Sequence, residues 1–448
     1  MTDRLVIAAP ASGSGKTTVA TGLLAALRAR GTVAAPFKVG PDYIDPGYHT
    51  LAAGRAGRNL DPILVGEHRI APLLRHGAAG ADLAVIEGVM GMFDGRSVDS
   101  DLGSTAHVAK LLAAPVILVV DAWGQARSIA AVLHGFRGFD PDVRLAGVIA
   151  NRVGSPTHAR ILSRACDQVG LPLLGALPRT ELVELPSRHL GLVTAAEHGP
   201  EATAAIDAMT ELISGHVDLD AITRLAAAAP PLTATPWNPA AEVTPVPGSP
   251  LIAVAGGPAF TFGYAEHLDL LTAAGARIAV FDPLRDPGLP QGTAGVVLPG
   301  GFPEQHAEAL SANTPLRHAI RDFARAGGPL HAECGGLLFL VRTLDGHPMC
   351  AVLDADAKMT NRLTLGYRDA TAAADSILGP KGSPHTGHEF HRTTVHPSAS
   401  TPPAWHWPTP DGTPHPEGFV HGNVHASYLH THPAGNPRLI QQFVRACC

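Results

Sequence analysis

The chain has 448 residues, which is long enough for two or three domains with hydrophobic cores of their own. Hydrophobic residues make up 45% of it, which excludes a wholly disordered protein, and the formal net charge of −6 gives no reason to expect nucleic acid as a partner. No apolar run approaches the ~20 residues that cross a bilayer, the N-terminus has no signal-peptide layout, and the five cysteines form no CxxC pair. We therefore expect a cytoplasmic globular protein without membrane segments, structural zinc or a disulfide scaffold.

Residues 1–225 alternate short apolar runs with amphipathic segments rich in alanine and leucine. The apolar runs lack the alternation of a half-exposed strand, which predicts strands buried on both faces at residues 5–9, 83–86, 116–120 and 145–149. Helices are predicted between them, over residues 17–30, 104–113 and 126–136. Repeated strand–helix–strand order predicts a parallel sheet with helices on both faces.

The alternation stops at residues 226–250, where the density of proline and alanine predicts an extended linker. It resumes with predicted strands at 251–255, 278–281 and 296–298 and a predicted helix at 315–326. Residues 396–416, rich in proline, threonine, histidine and tryptophan, predict a surface loop. The fold class we expect is α/β, with two domains at 1–225 and 251–448, each a mostly parallel sheet flanked by helices.

A phosphate site is predicted directly after the first strand, where a glycine-rich loop leads into a helix. The loop and helix start contain Gly13, Ser14, Gly15, Lys16, Thr17 and Thr18. Backbone N–H groups of such a loop surround phosphates, the lysine reaches the β- and γ-phosphates, and the first hydroxyl binds Mg²⁺. Pro10 replaces the usual first glycine of this pattern, but the strand–loop–helix context is retained.

Carboxylates for the metal are expected at the ends of other strands. Asp42 and Asp45 follow the predicted strand at 33–37, and Glu87 ends the strand at 83–86. Because carboxyl ends of parallel strands share one edge of a sheet, these groups are expected to converge on the phosphate loop. A loop aspartate is more often a turn or helix cap, and Asp42 is the weakest of the three candidates.

Cys334 lies at a predicted strand-to-helix turn within the segment AECGG. The helix dipole is expected to lower the pKa of this thiol and to supply a thiolate nucleophile. The N–H groups of Gly335 and of Gly301, in a second glycine-rich turn, are candidates for an oxyanion site.

A base for Cys334 is expected in the tail, because ten of the 24 histidines lie after residue 380. Six of them fall in two clusters, GHEFH at 387–391 and the run from His421 to His432. Since no spacing among them matches a zinc cage, a Cys–His pair for acyl transfer is favoured over metal binding.

These motifs together resemble the cobyrinic acid a,c-diamide synthase family, also called the hydrogenobyrinic acid a,c-diamide synthase family. The resemblance covers both predicted domains and rests on SGSGKTT, KVGPDYIDPGYH, EGVMGMFDG, GVIANRVGS, PSRHLGLV, LPGGFPE, AECGGLLFL, GHEFH and HASYLH. It implies an ATP-dependent amide ligase domain of the dethiobiotin-synthetase-like P-loop type, joined to a class I glutamine amidotransferase domain. Such enzymes amidate the a and c acetate side chains of a corrin ring in cobalamin biosynthesis.

The resemblance also implies roles for individual residues. ATP phosphates would lie at residues 13–18, Asn151 would contact adenine, and Mg²⁺ would be held by Thr17, Asp45 and Glu87. Cys334 would be the nucleophile, and His430 its base, with His432 as second choice. Related triads place a glutamate two residues after the histidine; here that position is His432, so the third member is missing or supplied differently. The corrin would lie over residues 42–48, including Asp42, Tyr43 and Ile44, and over residues 188–192.

Two alternatives stay open at this point. One is another tetrapyrrole amidotransferase of the same architecture, similar to cobyric acid synthase or to nickel-sirohydrochlorin diamide synthase. The other is a partitioning-type P-loop ATPase fused to an inactive glutaminase-like module, which the intact AECGG segment and tail histidine disfavour. The expected partners are a corrin polycarboxylate and L-glutamine. Whether the corrin carries cobalt, and whether the enzyme is a homodimer, does not follow from the sequence.

Overall fold

The computed structural model describes residues 2–180, 187–188, 191–192, 194–409 and 411–448. The chain divides into two compact units, Met1–Trp237 and Asn238–Cys448. None of the helices within the described ranges is long and apolar enough to cross a membrane.

The first unit is built on a parallel sheet, in which the described residues form seven strands. These are β1 (Asp3–Ala8), β2 (Ala34–Val39), β3 (Arg58–Leu60), β4 (Leu83–Glu87), β5 (Val116–Asp121), β6 (Leu145–Val153) and β7 (Leu173–Pro178). Their order across the sheet is β3-β2-β4-β1-β5-β6-β7. Since β2, β4 and β1 are neighbours, the segments that follow them meet at one carboxyl edge.

Helices flank this sheet, as its buried strands require. They are α1 (Lys16–Ala29), α2 (Asp45–Ala53), α3 (Pro62–Val65), α4 (Glu67–Gly77), α5 (Thr105–Leu111), α6 (Ile129–Phe139), α7 (Pro156–Gln168), α8 (Ala195–His198), α9 (Pro200–His216) and α10 (Leu219–Ala227). Two short strands, β8 (Ser187–Arg188) and β9 (Gly191–Leu192), pair antiparallel. Apart from Ser187, they fall in the predicted corrin-binding segment 188–192, of which His189 and Leu190 lie outside the described residues.

The second unit contains a mixed sheet and its own helices. The strands are β10 (Leu251–Ala255), β11 (Arg277–Phe281), β12 (Thr293–Leu298), β13 (Leu330–Glu333), β14 (Thr343–Leu344), β15 (His347–Pro348), β16 (Asp356–Ala372), β17 (Pro384–His396), β18 (Pro403–Pro408), β19 (Pro414–His421), β20 (Val424–Ser427) and β21 (His430–Thr431). The helices are α11 (Pro239–Glu242), α12 (Ala265–Ala273), α13 (Ala307–Ala312), α14 (Thr314–Arg325), α15 (Gly335–Leu340) and α16 (Pro437–Ala446), with a 3₁₀ turn at Pro303–His306.

The second sheet has a parallel half and an antiparallel half. β11, β10, β12, β13 and β20 are parallel neighbours in that order, and hairpins around β16–β19 extend the sheet from β20. The hydrophobic core of this unit packs Leu298, Leu330 and Phe339 around Cys334 itself. The predicted fold class, two α/β domains, is confirmed, with the antiparallel half as an addition.

The prediction of a surface loop over residues 396–416 is wrong, because most of this segment forms β18 and β19. Trp405 and Trp407 alternate along β18 and are both buried, so the segment has a strand periodicity. Pro403 and Pro408 lie at the two ends of β18, where a missing N–H costs little. The prolines concealed a tryptophan pattern that favours a strand.

The boundary between the units falls inside the predicted linker, residues 226–250. This segment is not wholly extended, because α10 reaches Ala227 and α11 adds a helical turn. Trp237 is buried and packs edge-on against His76, with ring centroids 5.0 Å apart. The segment between α10 and Trp237, the last residue of the first unit, therefore packs on that unit.

Candidate active sites

The glycine-rich loop after β1 forms a compact turn at the start of α1. Gly15 adopts a left-handed conformation (φ 100°), and a side chain there would overlap the Asn151 amide, so only glycine fits. The Ser14 hydroxyl donates to the Ala11 carbonyl (2.9 Å). Lys16 donates to the carbonyls of Met90 (2.5 Å) and Ala11 (3.3 Å), which places its ammonium between the loop and the segment after β4.

Asn151 and its neighbour support the loop from the end of β6. The Asn151 amide donates to the Ser14 carbonyl (3.0 Å). The Arg152 guanidinium donates to the Gly13 carbonyl (3.0 Å) and pairs with Asp121 (2.9 Å). Contact between Asn151 and adenine stays a prediction; the observed contact is with the phosphate loop.

Thr17, Asp45 and Glu87 come together beside this loop. The Thr17 hydroxyl lies 2.7 Å from Glu87 Oε1 and 3.4 Å from Asp45 Oδ2. Lys38, at the end of β2, places its ammonium 2.6 Å from Asp45 Oδ2 and 2.8 Å from Glu87 Oε1. His49 Nε2 lies 2.7 Å from Glu87 Oε2. No role at this site was assigned to Lys38 or His49 from the sequence.

The residues predicted to contact substrate lie in the segment between β2 and α2. The Asp42 carboxylate accepts the backbone N–H groups of Ile44 (2.8 Å) and Asp45 (3.0 Å), which makes it a cap for the start of α2. The side chains of Tyr43 and Ile44 are buried. Asp42 thus lies beside Asp45 as a cap of α2.

Burial and charge act in opposite directions on this cluster. Burial alone would lower the pKa of Lys38, but Asp45 and Glu87 outweigh it and raise that pKa above the ordinary range. Burial would raise the pKa of Glu87, yet Lys38 and His49 lower it below its usual range. Burial and the nearby Asp42 raise the pKa of Asp45 to about 7. Burial, followed by Lys38, lowers the pKa of Lys16 to about 8.

The donor set of this cluster suits a small divalent cation. Two carboxylates and a hydroxyl are hard oxygen donors, which Mg²⁺ prefers, and Mg²⁺ commonly completes its shell with substrate phosphates and water. Across the described part of the chain, no group of three His, Cys, Asp or Glu side chains is arranged to hold a metal by itself. A metal here therefore needs ligands beyond protein carboxylates.

In the second unit, Cys334 occupies a sharp turn between β13 and α15. Its backbone is in an unusual region for a non-glycine residue (φ 46°, ψ −97°), as at other strand-to-helix nucleophile turns. Its N–H donates to the Ser427 carbonyl on the neighbouring β20 (2.7 Å), which supports the strained turn.

The expected lowering of the Cys334 pKa is not found. Burial and the nearby Glu304 raise the pKa of this thiol above its ordinary value, although the Gly335 N–H bonds to the sulfur and acts in the opposite direction. Because the thiol is buried in a hydrophobic core, the helix start does not compensate for the loss of solvent. Thiolate formation at this site therefore requires a base.

The two glycine-rich turns pack directly against each other. A Cβ at Gly335 would lie 2.8 Å from the Gly301 nitrogen, and a Cβ at Gly301 would overlap the Ala259 carbonyl oxygen. The structure thus brings Gly301 and Gly335, the two predicted oxyanion donors, side by side next to Cys334.

His430 lies beside these turns, on the short strand β21. A Cβ at Gly300 would meet the His430 ring, 2.5 Å from Cε1 and 3.4 Å from Nε2. On its other edge, His430 Nδ1 lies 3.6 Å from Glu333 Oε2. His388 stacks on the ring, with centroids 5.0 Å apart and planes 15° apart. Glu333 was missed from the sequence, whereas His388 lies in the GHEFH cluster, one of the two clusters in which the base was expected.

His432 has different neighbours. Its Nε2 lies 3.9 Å from Glu266 Oε2, and its ring packs against Tyr264 with centroids 4.1 Å apart. The position of His430 against the glycine turn favours it over His432 as the partner of Cys334.

The GHEFH segment on β17 also places two side chains near Tyr428. Glu389 accepts a hydrogen bond from Arg368 (2.7 Å), and His391 stacks on Tyr428 with centroids 3.7 Å apart. Glu389 and Tyr428 both lie close enough to Cys334 for electrostatic interaction with the thiol.

Comparison with known proteins agrees with this geometry in both units. Residues 5–193 match the model of the CobQ/CobB/MinD/ParA nucleotide binding domain, and residues 251–437 match that of the CobB/CobQ-like glutamine amidotransferase domain. Hydrogenobyrinate a,c-diamide synthase of Mycobacterium tuberculosis is 57% identical over 99% of this chain and 98% of its own length. The chain belongs to the cobyrinate and hydrogenobyrinate a,c-diamide synthase family.

Other a,c-diamide synthases match over nearly the same length. The hydrogenobyrinate enzyme of Streptomyces coelicolor is 52% identical, over 99% of this chain and 97% of its own. The cobyrinate enzyme of Gloeobacter violaceus is 44% identical, over 99% of this chain and 96% of its own. The predicted family, and the predicted combination of a nucleotide-binding domain with a glutamine amidotransferase domain, are therefore confirmed.

Proposed function

We propose that this chain uses ATP and L-glutamine to amidate the a and c acetate carboxylates of hydrogenobyrinic acid, the metal-free corrin. The observation that carries the proposal is the occurrence, in one chain, of a phosphate loop beside paired carboxylates and of a cysteine turn beside a histidine. The metal-free substrate is supported by identity, which is 52–57% to hydrogenobyrinate enzymes and 42–44% to cobyrinate enzymes.

The ligase half activates a carboxylate that ammonia does not attack directly. Transfer of the ATP γ-phosphoryl group to the carboxylate oxygen forms an acyl phosphate and ADP, and ammonia then displaces inorganic phosphate to give the amide. Lys16 stabilises negative charge on the phosphoryl oxygens during transfer. Mg²⁺, held by Thr17, Asp45 and Glu87, would supply further charge neutralisation when bound. Asn151 would border the adenine, and the segment Asp42, Tyr43 and Ile44 would border the corrin.

The glutaminase half supplies neutral ammonia, which would be mostly protonated if taken from water at pH 7. His430 removes the Cys334 proton, and the sulfur attacks the side-chain carbonyl carbon of glutamine. The N–H groups of Gly301 and Gly335 donate to the resulting oxyanion. The amide nitrogen leaves as NH₃ after accepting the proton from His430, and water hydrolyses the thioester to glutamate. Both co-substrates are cytoplasmic metabolites, so we place the reaction in the cytoplasm.

The Cys334→Ala variant separates the two halves. We expect glutamine-dependent product formation to fall below detection, whereas ligation with ammonium chloride at alkaline pH keeps wild-type rates, because the thiol serves only ammonia release. Product masses are measured by mass spectrometry with metal-free and cobalt-containing corrin substrates in parallel.

Three results would contradict the proposal. Loss of ammonia-dependent ligation in the folded variant would overturn the two-site assignment. A preference of the wild type for the cobalt-containing acid would overturn the choice of substrate. Absence of both glutamate release and ATP hydrolysis with either corrin would overturn the function itself.

A further inference from the structure

Glu333 is the last residue of β13 and directly precedes the nucleophile. Its side chain is only 15% exposed. The Thr431 backbone N–H (3.3 Å) and hydroxyl (3.1 Å) both donate to Oε1. These two bonds orient the carboxylate so that Oε2 faces His430 Nδ1 at 3.6 Å.

The same His430 ring has its opposite edge against the glycine turn. Because Nδ1 faces Glu333 while Cε1 and Nε2 face Gly300, the ring points its second nitrogen away from the carboxylate and toward the turns that contain the oxyanion donors. Stacking on His388, which itself contacts the Tyr264 hydroxyl (3.2 Å), restricts rotation of the ring. A histidine held this way presents one defined nitrogen to a reacting group.

The charges around the ring also favour this pairing. Burial opposes ionisation of Glu333, but its interaction with His430 outweighs burial and lowers the pKa of this carboxyl to about 2, so Glu333 is a carboxylate at neutral pH. His331 lies 3.6 Å from Oε1, yet burial lowers its pKa and keeps it neutral. Burial likewise keeps His388 neutral, through a lowered pKa. Glu333 therefore carries a negative charge that can stabilise a protonated His430. His331 and His388 are neutral and do not compete for this charge.

We propose that Glu333 is the positioning residue for His430 and supplies the acidic third member of the nucleophile site. Its carboxylate holds the proton on Nδ1, leaves Nε2 to accept the Cys334 proton, and stabilises the imidazolium that forms. The inference rests on the glutaminase half of the proposed function. The 3.6 Å separation exceeds a hydrogen bond, and such contacts commonly shorten once substrate is bound and the histidine is charged. In this chain the acidic residue, Glu333, directly precedes the nucleophile Cys334. In related triads the glutamate instead follows the histidine base by two residues.

The Glu333→Gln variant keeps the shape of the side chain and removes its charge. We expect kcat for glutamate release to fall by about 10- to 1,000-fold, with KM for glutamine changed less than about twofold, because the amide no longer stabilises the imidazolium. The acidic limb of the kcat/KM pH profile is expected to move to lower pH, since His430 loses its neighbouring negative charge. The Glu333→Asp variant, which retains the charge, is expected to recover most of the lost kcat.

Glu266→Gln provides a matched control, because Glu266 is also buried and lies 3.9 Å from a histidine of the same segment, His432. Its glutaminase kcat is expected to stay within about twofold of wild type. Ammonia-dependent ligation, measured for every variant, should be unchanged, which shows that the first unit is folded, and circular dichroism and denaturant unfolding check the fold of the second unit. An unmoved pH limb, equal losses in the Glu333 and Glu266 variants, or an aspartate variant as slow as the glutamine variant would each overturn the inference. Absence of glutamate release by the wild type would instead overturn the proposed function.

Discussion

Lys38 has two buried carboxylates within contact distance, which makes it the charge centre of the ligase site. Its ammonium lies 2.6 Å from Asp45 and 2.8 Å from Glu87, and its side chain is nearly inaccessible. One positive charge among two carboxylates leaves a net negative centre when both are ionised. That imbalance supports a role for an additional cation at this position.

Replacement of Lys38 by methionine tests this arrangement. Two buried carboxylates would lose their counter-ion, so we expect the first unit to lose about 3–5 kcal/mol of stability. Urea unfolding is measured with and without Mg²⁺, and the transition of the first unit is identified as the one that ATP shifts. Mg²⁺ is expected to raise the free energy of unfolding more in the variant than in the wild type.

Lys110→Met is the matched control for this change. Lys110 also bridges two carboxylates, Asp101 and Asp140, both at 2.7 Å, but the group lies nearer the surface. We expect a loss of about 1 kcal/mol or less. Equal losses in the two variants would show that Lys38 makes an ordinary ion pair.

Individual residues were predictable where the backbone alone brings them together. Thr17, Asp45 and Glu87 follow neighbouring parallel strands, so their convergence could be expected from strand order. Lys38 required the register of β2 against β4, which pairs it with Glu87 and which no local pattern specifies. Glu333 was missed for a similar reason, because its partner His430 is distant in sequence and is brought near it by the pairing of β13 with β20, which places Glu333 opposite Ser427.

Among the elements, the turn after β12 is tightly packed beside the nucleophile turn. Gly301 lies so close to the Ala259 carbonyl that no side chain can be accommodated, and its N–H is adjacent to Gly335. The turn and the Cys334 turn therefore depend on each other for position. Any displacement of one turn moves a proposed donor to the oxyanion.

The Gly301→Ala variant is expected to reduce glutaminase kcat by about tenfold or more, because the methyl group displaces a donor to the oxyanion. Ammonia-dependent ligation should be retained, since the substitution lies in the second unit. Gly288→Ala is the control, as a Cβ there meets no heavy atom within 4 Å. Wild-type glutamate release by Gly301→Ala would show that this turn does not contribute to the reaction.

Helices and strands were predictable where the hydrophobic residues of the sequence have a clear periodicity. The buried strands β1, β4, β5 and β12 and the helices α1 and α14 follow directly from apolar runs and amphipathic spacing, whereas the long helix α9 was not predicted. β18 was not predicted, because its terminal prolines resemble loop signals while the buried Trp405 and Trp407 account for only two of its positions. The antiparallel half of the second sheet is built from strands of this kind. It could therefore not be predicted from the sequence.

At the scale of the whole molecule, buried histidines of the second unit determine its response to acid. Burial lowers the pKa of His267 and His385 to about 4, and that of His425 to about 3. In the unfolded chain these groups take up protons near pH 6.5. The unfolded state therefore binds more protons between about pH 6.5 and 4, and stability falls as pH decreases through this range.

Glu417 acts in the opposite direction at higher pH. Burial raises its pKa to about 8, so the folded chain retains a proton that the unfolded chain loses near pH 4.5. Its contribution to stability decreases as pH rises from about 4.5 to 8, whereas the three histidines dominate below 6.5. We expect the second unit to be most stable near pH 6.5, measured by denaturant unfolding across pH.

Two variants separate these contributions. Glu417→Gln should remove the decline of stability above pH 6.5, and His425→Gln should weaken the decline below it. A stability that rises steadily from pH 6.5 to pH 4 would contradict the assignment of neutral buried histidines.

β17 contributes side chains to two groups of residues near the Cys334 thiol, one around His430 and one around Tyr428. His388 points to the base, whereas Glu389 and His391 belong to the Arg368 and Tyr428 side, because successive residues of a strand face opposite ways. Displacement of this strand by one residue would exchange the two sets while leaving its backbone ladder intact. Such a misaligned conformer would be compact and well ordered yet unable to deamidate glutamine, so folding yield and specific activity can diverge in this protein.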